Sequence, residues 1–251
     1  LRNCNVIDHH LLACALLTLL CLSAFAAAEE KPISRIMFGS CARHNQPQPI
    51  WDSIVDAKPQ LFLFIGDNIY GDSRDVDVLA AKYEELFDKP GFVKLRETCP
   101  LLATWDDHDY GENDAGAEYP SKVASQKLFN DVFDVPDDSP RRKRPGIYDA
   151  QLFGPEGKRV QVILLDTRYF RSPLRAWANG ERPAGRGPYR PHEVDADATI
   201  LGDAQWKWLQ EELQKPAELR IIASSIQVIP YEHGWEMWGN FPAQRQRLFN
   251  L

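Results

Sequence analysis

The sequence predicts a layered α/β domain, and two observations carry that expectation. Short apolar runs bounded by Gly, Pro or charge alternate with amphipathic segments of helical spacing, as in strands packed against helices. Four of these runs also end in residues that seek metals or phosphate. Ile36-Met37-Phe38 leads into Gly39-Ser40-Cys41, and residues 61–65 lead into Gly66-Asp67-Asn68-Ile69-Tyr70. Residues 101–105 lead into Asp106-Asp107-His108-Asp109, and 160–165 into Asp166-Thr167-Arg168. In open α/β sheets ligands bind just beyond the carboxyl ends of the strands. A thiol, several carboxylates and an imidazole at such ends are expected to form one polar site.

The elements follow in order. Strands are expected at 34–38, 61–65, 101–105, 147–153, 160–165 and 219–225, whose lengths suit buried strands. Helices are expected around 49–57, announced by Pro47 and Pro49, and at 76–88, 121–133 and 203–214. The last carries Ala204, Trp208 and Leu209 on one side and Glu211-Glu212 on another, and 241–250 is a further helical segment. Residues 134–146, with Arg141-Arg142-Lys143-Arg144 before Pro145-Gly146, read as a solvated surface loop. The alternative is a basic rim that steers anionic substrates. Residues 171–202 are rich in Pro, Gly and Arg without apolar periodicity, and read as a lid or rim over the site.

Composition bounds the answer. The 251 residues hold 44% hydrophobic side chains, enough for a buried core, and carry a formal charge of −7. That acidity argues against a nucleic-acid scaffold while leaving room for phosphorylated substrates, because bound cations invert a local field. Residues Leu11–Leu22 are nearly all apolar, and small residues precede Glu29-Glu30-Lys31. This pattern predicts a signal peptide over 1–28, with an uncleaved membrane anchor as the alternative, and a mature domain over 29–251 that is secreted or extracytoplasmic and has no stable span. Only Cys41 and Cys99 follow the leader, so either they pair or Cys41 stays free for chemistry. No Asn-x-Ser/Thr acceptor occurs, and oligomeric state leaves no trace.

The chemistry concentrates in three places. Three carboxylates within Asp106–Asp109 repel one another, and a multivalent cation relieves that repulsion; an acidic turn or helix cap is the bland reading. Asp67 projects from a strand end after Gly66, which admits a ligand close to the backbone, while Tyr70 is either a rim tyrosine or a phenolate ligand. Cys41 is a buried thiol, a disulfide partner or a thiolate ligand. Arg168 either forks onto phosphate oxygens or forms a structural ion pair with Asp166.

Five stretches in order resemble the PhoD-like alkaline phosphatases, a branch of the calcineurin-like metallophosphoesterases. They are Phe38-Gly39-Ser40-Cys41, Gly66-Asp67-Asn68-Ile69-Tyr70-Gly71-Asp72, Trp105–Gly111, Leu165-Asp166-Thr167-Arg168 and Leu201–Leu209, and the likeness runs over residues 34–250. The resemblance implies a layered β-sandwich flanked by helices that hydrolyses phosphate mono- and diesters, with small-molecule or lipid-type esters as substrates. It implies ferric iron (Fe³⁺) and calcium (Ca²⁺), with zinc or manganese as alternatives that the donor types also admit. By that likeness Cys41, Asp67 and Tyr70 are ligands at the iron, Asp67 is able to bridge to a second metal, Asp107 stands at a metal-ligand position, His108 stabilises the transferring phosphoryl group or the leaving oxygen, and Arg168 binds phosphate. The implied mechanism is direct displacement by a metal-held hydroxide.

The sequence departs from the superfamily at both ends of the pattern. Ser40-Cys41 stands where Asp-x-His is usual, a substitution typical of this branch. The closing Gly-Asp-x-His segment does not appear after Ser224-Ser225-Ile226-Gln227, and His233 lies in an aromatic loop. The fold is therefore expected to be incomplete at its C-terminus. The chain is either a fragment or a natural short form that binds metal and phosphate with weak or no turnover.

Overall fold

Three short apolar strands pair in parallel to make the first sheet. They are β1 (Ile36–Gly39), β2 (Leu61–Ile65) and β3 (Leu101–Thr104), in the order β1-β2-β3. The computed structural model describes residues 31–251, so the leader expected over 1–28 lies outside the described residues. Gly39 pairs with Phe64, and Ile65 with Thr104, so the three strands finish at one level. Two backbone bonds tie the chain beyond them, from Cys41 N–H to the Gly66 carbonyl (3.2 Å) and from Ala42 N–H to the Asp67 carbonyl (2.9 Å).

The residues of β2 are divided between two cores by the period-2 alternation of a strand. Phe62 and Phe64 face a cluster built with Trp51 of α1 (Ile50–Asp56), Tyr83 of α2 (Val76–Phe87) and Phe92 of α3 (Pro90–Thr98). Leu61 and Leu63 join a second cluster with Val160, Val162 and Leu164. Because β2 is buried on both faces, it reads as a continuous apolar run rather than an alternating one.

The second sheet is mixed. Strand β4 (Asp149–Phe153) runs antiparallel to β5 (Val160–Leu164), which runs parallel to β8 (Leu219–Ala223). On its other side Ile163 packs with Trp206 and Leu209 of α6 (Gly202–Leu213). A single helical turn, α4 (Asp107–Tyr110), follows β3, and α5 (Lys122–Val132) and α7 (Pro242–Phe249) complete the helices among the described residues. Residues Pro32–Leu251 form one compact unit. Among the described residues no helix is long and apolar enough to cross a membrane.

Several expectations need correction. The α3 helix was not anticipated, because Pro90-Gly91 looks like a break; Pro at the first helical position is in fact compatible with a start. The strand expected over 219–225 stops at Ala223, and Ser224-Ser225 turn away toward the site. Residues 134–146 are not wholly solvated: Pro140–Lys143 form a 3₁₀ turn that buries Arg141. The stretch 171–202 carries a small hairpin, β6 (Arg175–Ala176) with β7 (Tyr189–Arg190). Cys41 and Cys99 are free thiols.

Candidate metal centre

The ends of β1, β2 and β3 deliver the site. Cys41, Asp67 and Asp72 have left-handed backbones, with φ of 60°, 51° and 46°, which non-glycine residues adopt at a cost of about 1 kcal/mol or more. Gly66 makes the turn possible: its φ is +105°, and a Cβ there would lie 2.7 Å from Asp106 Cβ and 2.9 Å from Ser225 Cβ. The strained turn swings Asp67 beneath Cys41, whose Sγ lies 3.5 Å from Asp67 Oδ2.

Past β3, the acidic cluster divides its labour. Asp109 is structural: its carboxylate accepts from Asp106 N–H (2.9 Å), Ile69 N–H (3.1 Å) and the Tyr83 hydroxyl (3.2 Å). Asp106 and Asp109 thereby close a capping box around α4. Asp107 and His108 are left facing Asp67, with one potential ligand atom from each within 4.8 Å of the others. The Tyr70 ring packs against His108 at 4.3 Å between centroids, and His108 Nδ1 lies 2.7 Å from Asp72 Oδ1. Cys41, Asp67, Tyr70, Asp107 and His108 are thus brought into one place.

Crowding sets the electrostatics. Burial, then the charges of Asp106 and Asp107, push the Asp67 carboxyl up to about 7. Burial also pushes the Tyr70 phenol up, reinforced by Asp67 and Cys41, and partial desolvation raises the Cys41 thiol. Burial acts to raise Asp107 too, but the Arg168 charge and the N–H groups of Asp114 and His108 outweigh it, and Asp107 ends below the usual carboxylate range. For His108 desolvation acts downward, yet the Asp72 contact and the charges of Asp107 and Asp67 raise it overall.

These are the conditions a multivalent cation relieves. Asp67 Oδ1 is buried with no hydrogen-bond partner, an orphan acceptor at the centre of a thiol, phenol and carboxylate donor set. An unpaired buried acceptor calls for a partner, and among these donors a cation supplies one, so the residues present fit a metal. A second acidic group, Asp107 with Asp114 and Glu236, is arranged on the same side.

With that geometry in place, the likeness to known proteins can be read. Residues 137–250 match the model of the PhoD-like phosphatase family. Over that stretch the chain is similar to PhoD-like phosphatases. A solved structure described as that of PhoD matches the fold with a TM-score of 0.68 at 18% sequence identity. That match covers 88% of this chain and 48% of the solved one, so the chain spans about half the length of the structure it resembles. No curated protein matches the sequence.

Arg168, expected to bind phosphate, does not stand where a phosphate could use it. The side chain is fully buried, and its Nε donates to Asp106 Oδ1 (2.7 Å) and Nη1 to Glu236 Oε1 (2.7 Å). Nη2 bonds both carboxylates and Nη1 also reaches the Ala115 carbonyl at 3.3 Å, so all five N–H donors are engaged. The partner anticipated for Arg168, Asp166, is instead satisfied by Trp105 Nε1 and by the backbone N–H groups of Ile147, Arg168 and Tyr169.

Sequence reasoning missed Asp72, Asp114 and Glu236. Asp72 lay inside a quoted motif, but nothing local shows that a residue five positions after Asp67 returns to meet His108. Asp114, like Asp67, has a left-handed backbone (φ 55°), and its N–H caps Asp107 Oδ2 at 2.8 Å. Glu236 arrives from the aromatic loop after Ser225, a contact across 68 residues to Arg168 that no spacing rule reveals.

Proposed function

We propose that this site hydrolyses phosphate mono- or diesters with the help of bound cations. The observation that carries the reading is the meeting of Cys41, Asp67, Tyr70, Asp107 and His108 around the unsatisfied, buried Oδ1 of Asp67. Cys41, Asp67 and Tyr70 would hold ferric iron, and Asp67 and Asp107 a neighbouring calcium, following the family likeness. When bound, such cations acidify water and neutralise phosphoryl charge.

The chain's own residues supply the rest. Asp72 fixes His108 through Nδ1, leaving Nε2 as the ring nitrogen that can hand a proton to a departing alkoxide. The Tyr70 ring packed on His108 limits the tilt of the imidazole. Arg168 acts indirectly, by holding Asp106 at the base of α4 and Glu236 in its loop. The two facing three-stranded sheets are read as the core of a metallophosphoesterase sandwich, and the substrate is a small or lipid-type phosphate ester met outside the cytoplasm.

The test is hydrolysis of chromogenic phosphate mono- and diesters by the purified chain supplied with iron and calcium. Turnover that Asp67→Asn and His108→Ala each reduce at least a hundredfold supports the reading. Metal and phosphate binding with no turnover makes the chain a binding form, and near-normal hydrolysis by either variant rejects this site.

A further inference from the structure

Away from the metal centre, a cavity of about 790 Å³ opens between β3 and β4, each an edge strand of its sheet. Its volume falls in the range of small-molecule sites. The walls mix apolar side chains, Leu101, Leu102, Phe133 and Val135, with charged ones, among them Arg96, Glu97, Asp134 and Asp149. One charged side chain in them is buried without a counter-ion. Arg141 is 5% exposed, yet among the described residues no carboxylate lies within ion-pairing distance of it. Its guanidinium makes one hydrogen bond, from Nη2 to the Ala103 carbonyl (3.1 Å), and lies 5.4 Å from the Phe129 ring. Nε is buried with no partner.

A buried cation without a counter-ion is costly, and proteins normally pair such charges. The other fully buried arginines obey that rule: Arg168 and Arg171 both reach Glu236. For Arg141 the nearest opposing charges are Asp149 and Asp166, which act through space, and burial lowers its pKa to about 10. The cavity is where a counter-ion can enter.

We infer that this cavity binds a small organic carboxylate, its charge forked onto Arg141 and its apolar body against Phe133 and Val135. The planar guanidinium matches a carboxylate in two parallel bonds. Glu97, Asp134 and Asp149 at the walls repel a phosphate dianion more than a singly charged carboxylate. The site uses none of the residues of the metal centre, so the inference stands whether or not the chain hydrolyses phosphate esters.

Benzoate serves as the probe, titrated calorimetrically into the full chain, with benzyl alcohol and inorganic phosphate as comparisons. Saturable benzoate binding is expected, at least tenfold weaker in Arg141→Met and weak for benzyl alcohol. Val135→Trp fills the cavity from a loop without altering the arginine, and is expected to lose binding as well; it keeps the test open if Arg141→Met does not fold. Asp67→Asn is expected to bind benzoate as the parent does. Absence of saturable binding, equal binding by Arg141→Met or by Val135→Trp, or phosphate binding tighter than benzoate at a site lost in Arg141→Met would overturn the assignment.

Discussion

Nδ1 of His108 lies 2.7 Å from Oδ1 of Asp72, a contact that joins the turn after β2 to the turn after β3. It raises the proton affinity of the imidazole against the opposing effect of burial. Asp72→Asn is therefore expected to lower turnover by roughly tenfold or more, a part of the ~10²–10⁴ that general acid catalysis contributes. The His108 proton would also be lost at lower pH, moving the alkaline limb of the kcat profile downward. The pair further stabilises the fold below the ordinary histidine value, and that contribution disappears as pH climbs through the raised His108 value. A profile identical to the parent's would remove Asp72 from the mechanism.

Metal removal should leave a pH-dependent weakness. Asp67 holds its proton up to about 7 in the fold, against an ordinary value of 3.8. Between those values the folded state binds more protons than the unfolded, so stability of the metal-free chain falls as pH rises from about 4 to 7. Urea unfolding after chelation, repeated across that range, measures the slope, and added iron and calcium should flatten it.

Gly66→Ala is expected to destabilise the chain by about 1–3 kcal/mol from backbone strain alone. The added methyl also strikes Asp106 Cβ and Ser225 Cβ, both under 3 Å away. Because Asp67 follows directly, the loss of metal affinity should exceed what the stability change implies. Thermal unfolding and metal titration of the same variant separate the two effects.

Arg168→Met leaves Asp106 and Glu236 without their shared cation, and breaking a buried pair in this way costs about 3–5 kcal/mol. Adding Glu236→Gln removes one of the stranded charges and should recover part of the loss. A double-mutant cycle in urea measures the coupling. Additive losses would show that Glu236 and Arg168 act independently.

The legible parts were those fixed by local chemistry. The apolar run 61–65 is a strand with four of its five residues buried, and the Gly66-Asp67 step was readable as the point where that strand ends. The residues expected at the centre could be named because each sits immediately after such a run. Arg168 misled because its neighbour in sequence, Asp166, is an obvious partner, whereas the carboxylates that hold it come from Asp106, 62 positions earlier, and Glu236, 68 positions later. Helix α3 was hidden by a Pro-Gly pair, and Arg141 by the basic run around it. Long-range ion pairing and burial of single charged side chains are properties of the packed chain, and a linear pattern does not encode them visibly.

The left-handed turns at Asp67, Asp72 and Asp114 constrain how these positions can be interrogated. Asparagine tolerates that conformation and keeps the shape while erasing the charge, whereas a β-branched substitute forces the local chain to rearrange. Loss of function after a valine or threonine exchange would therefore report a moved backbone, and only the amide isostere reports on charge itself. Evolution faces the same restriction: at these three places few replacements are geometrically neutral, whatever the ligand.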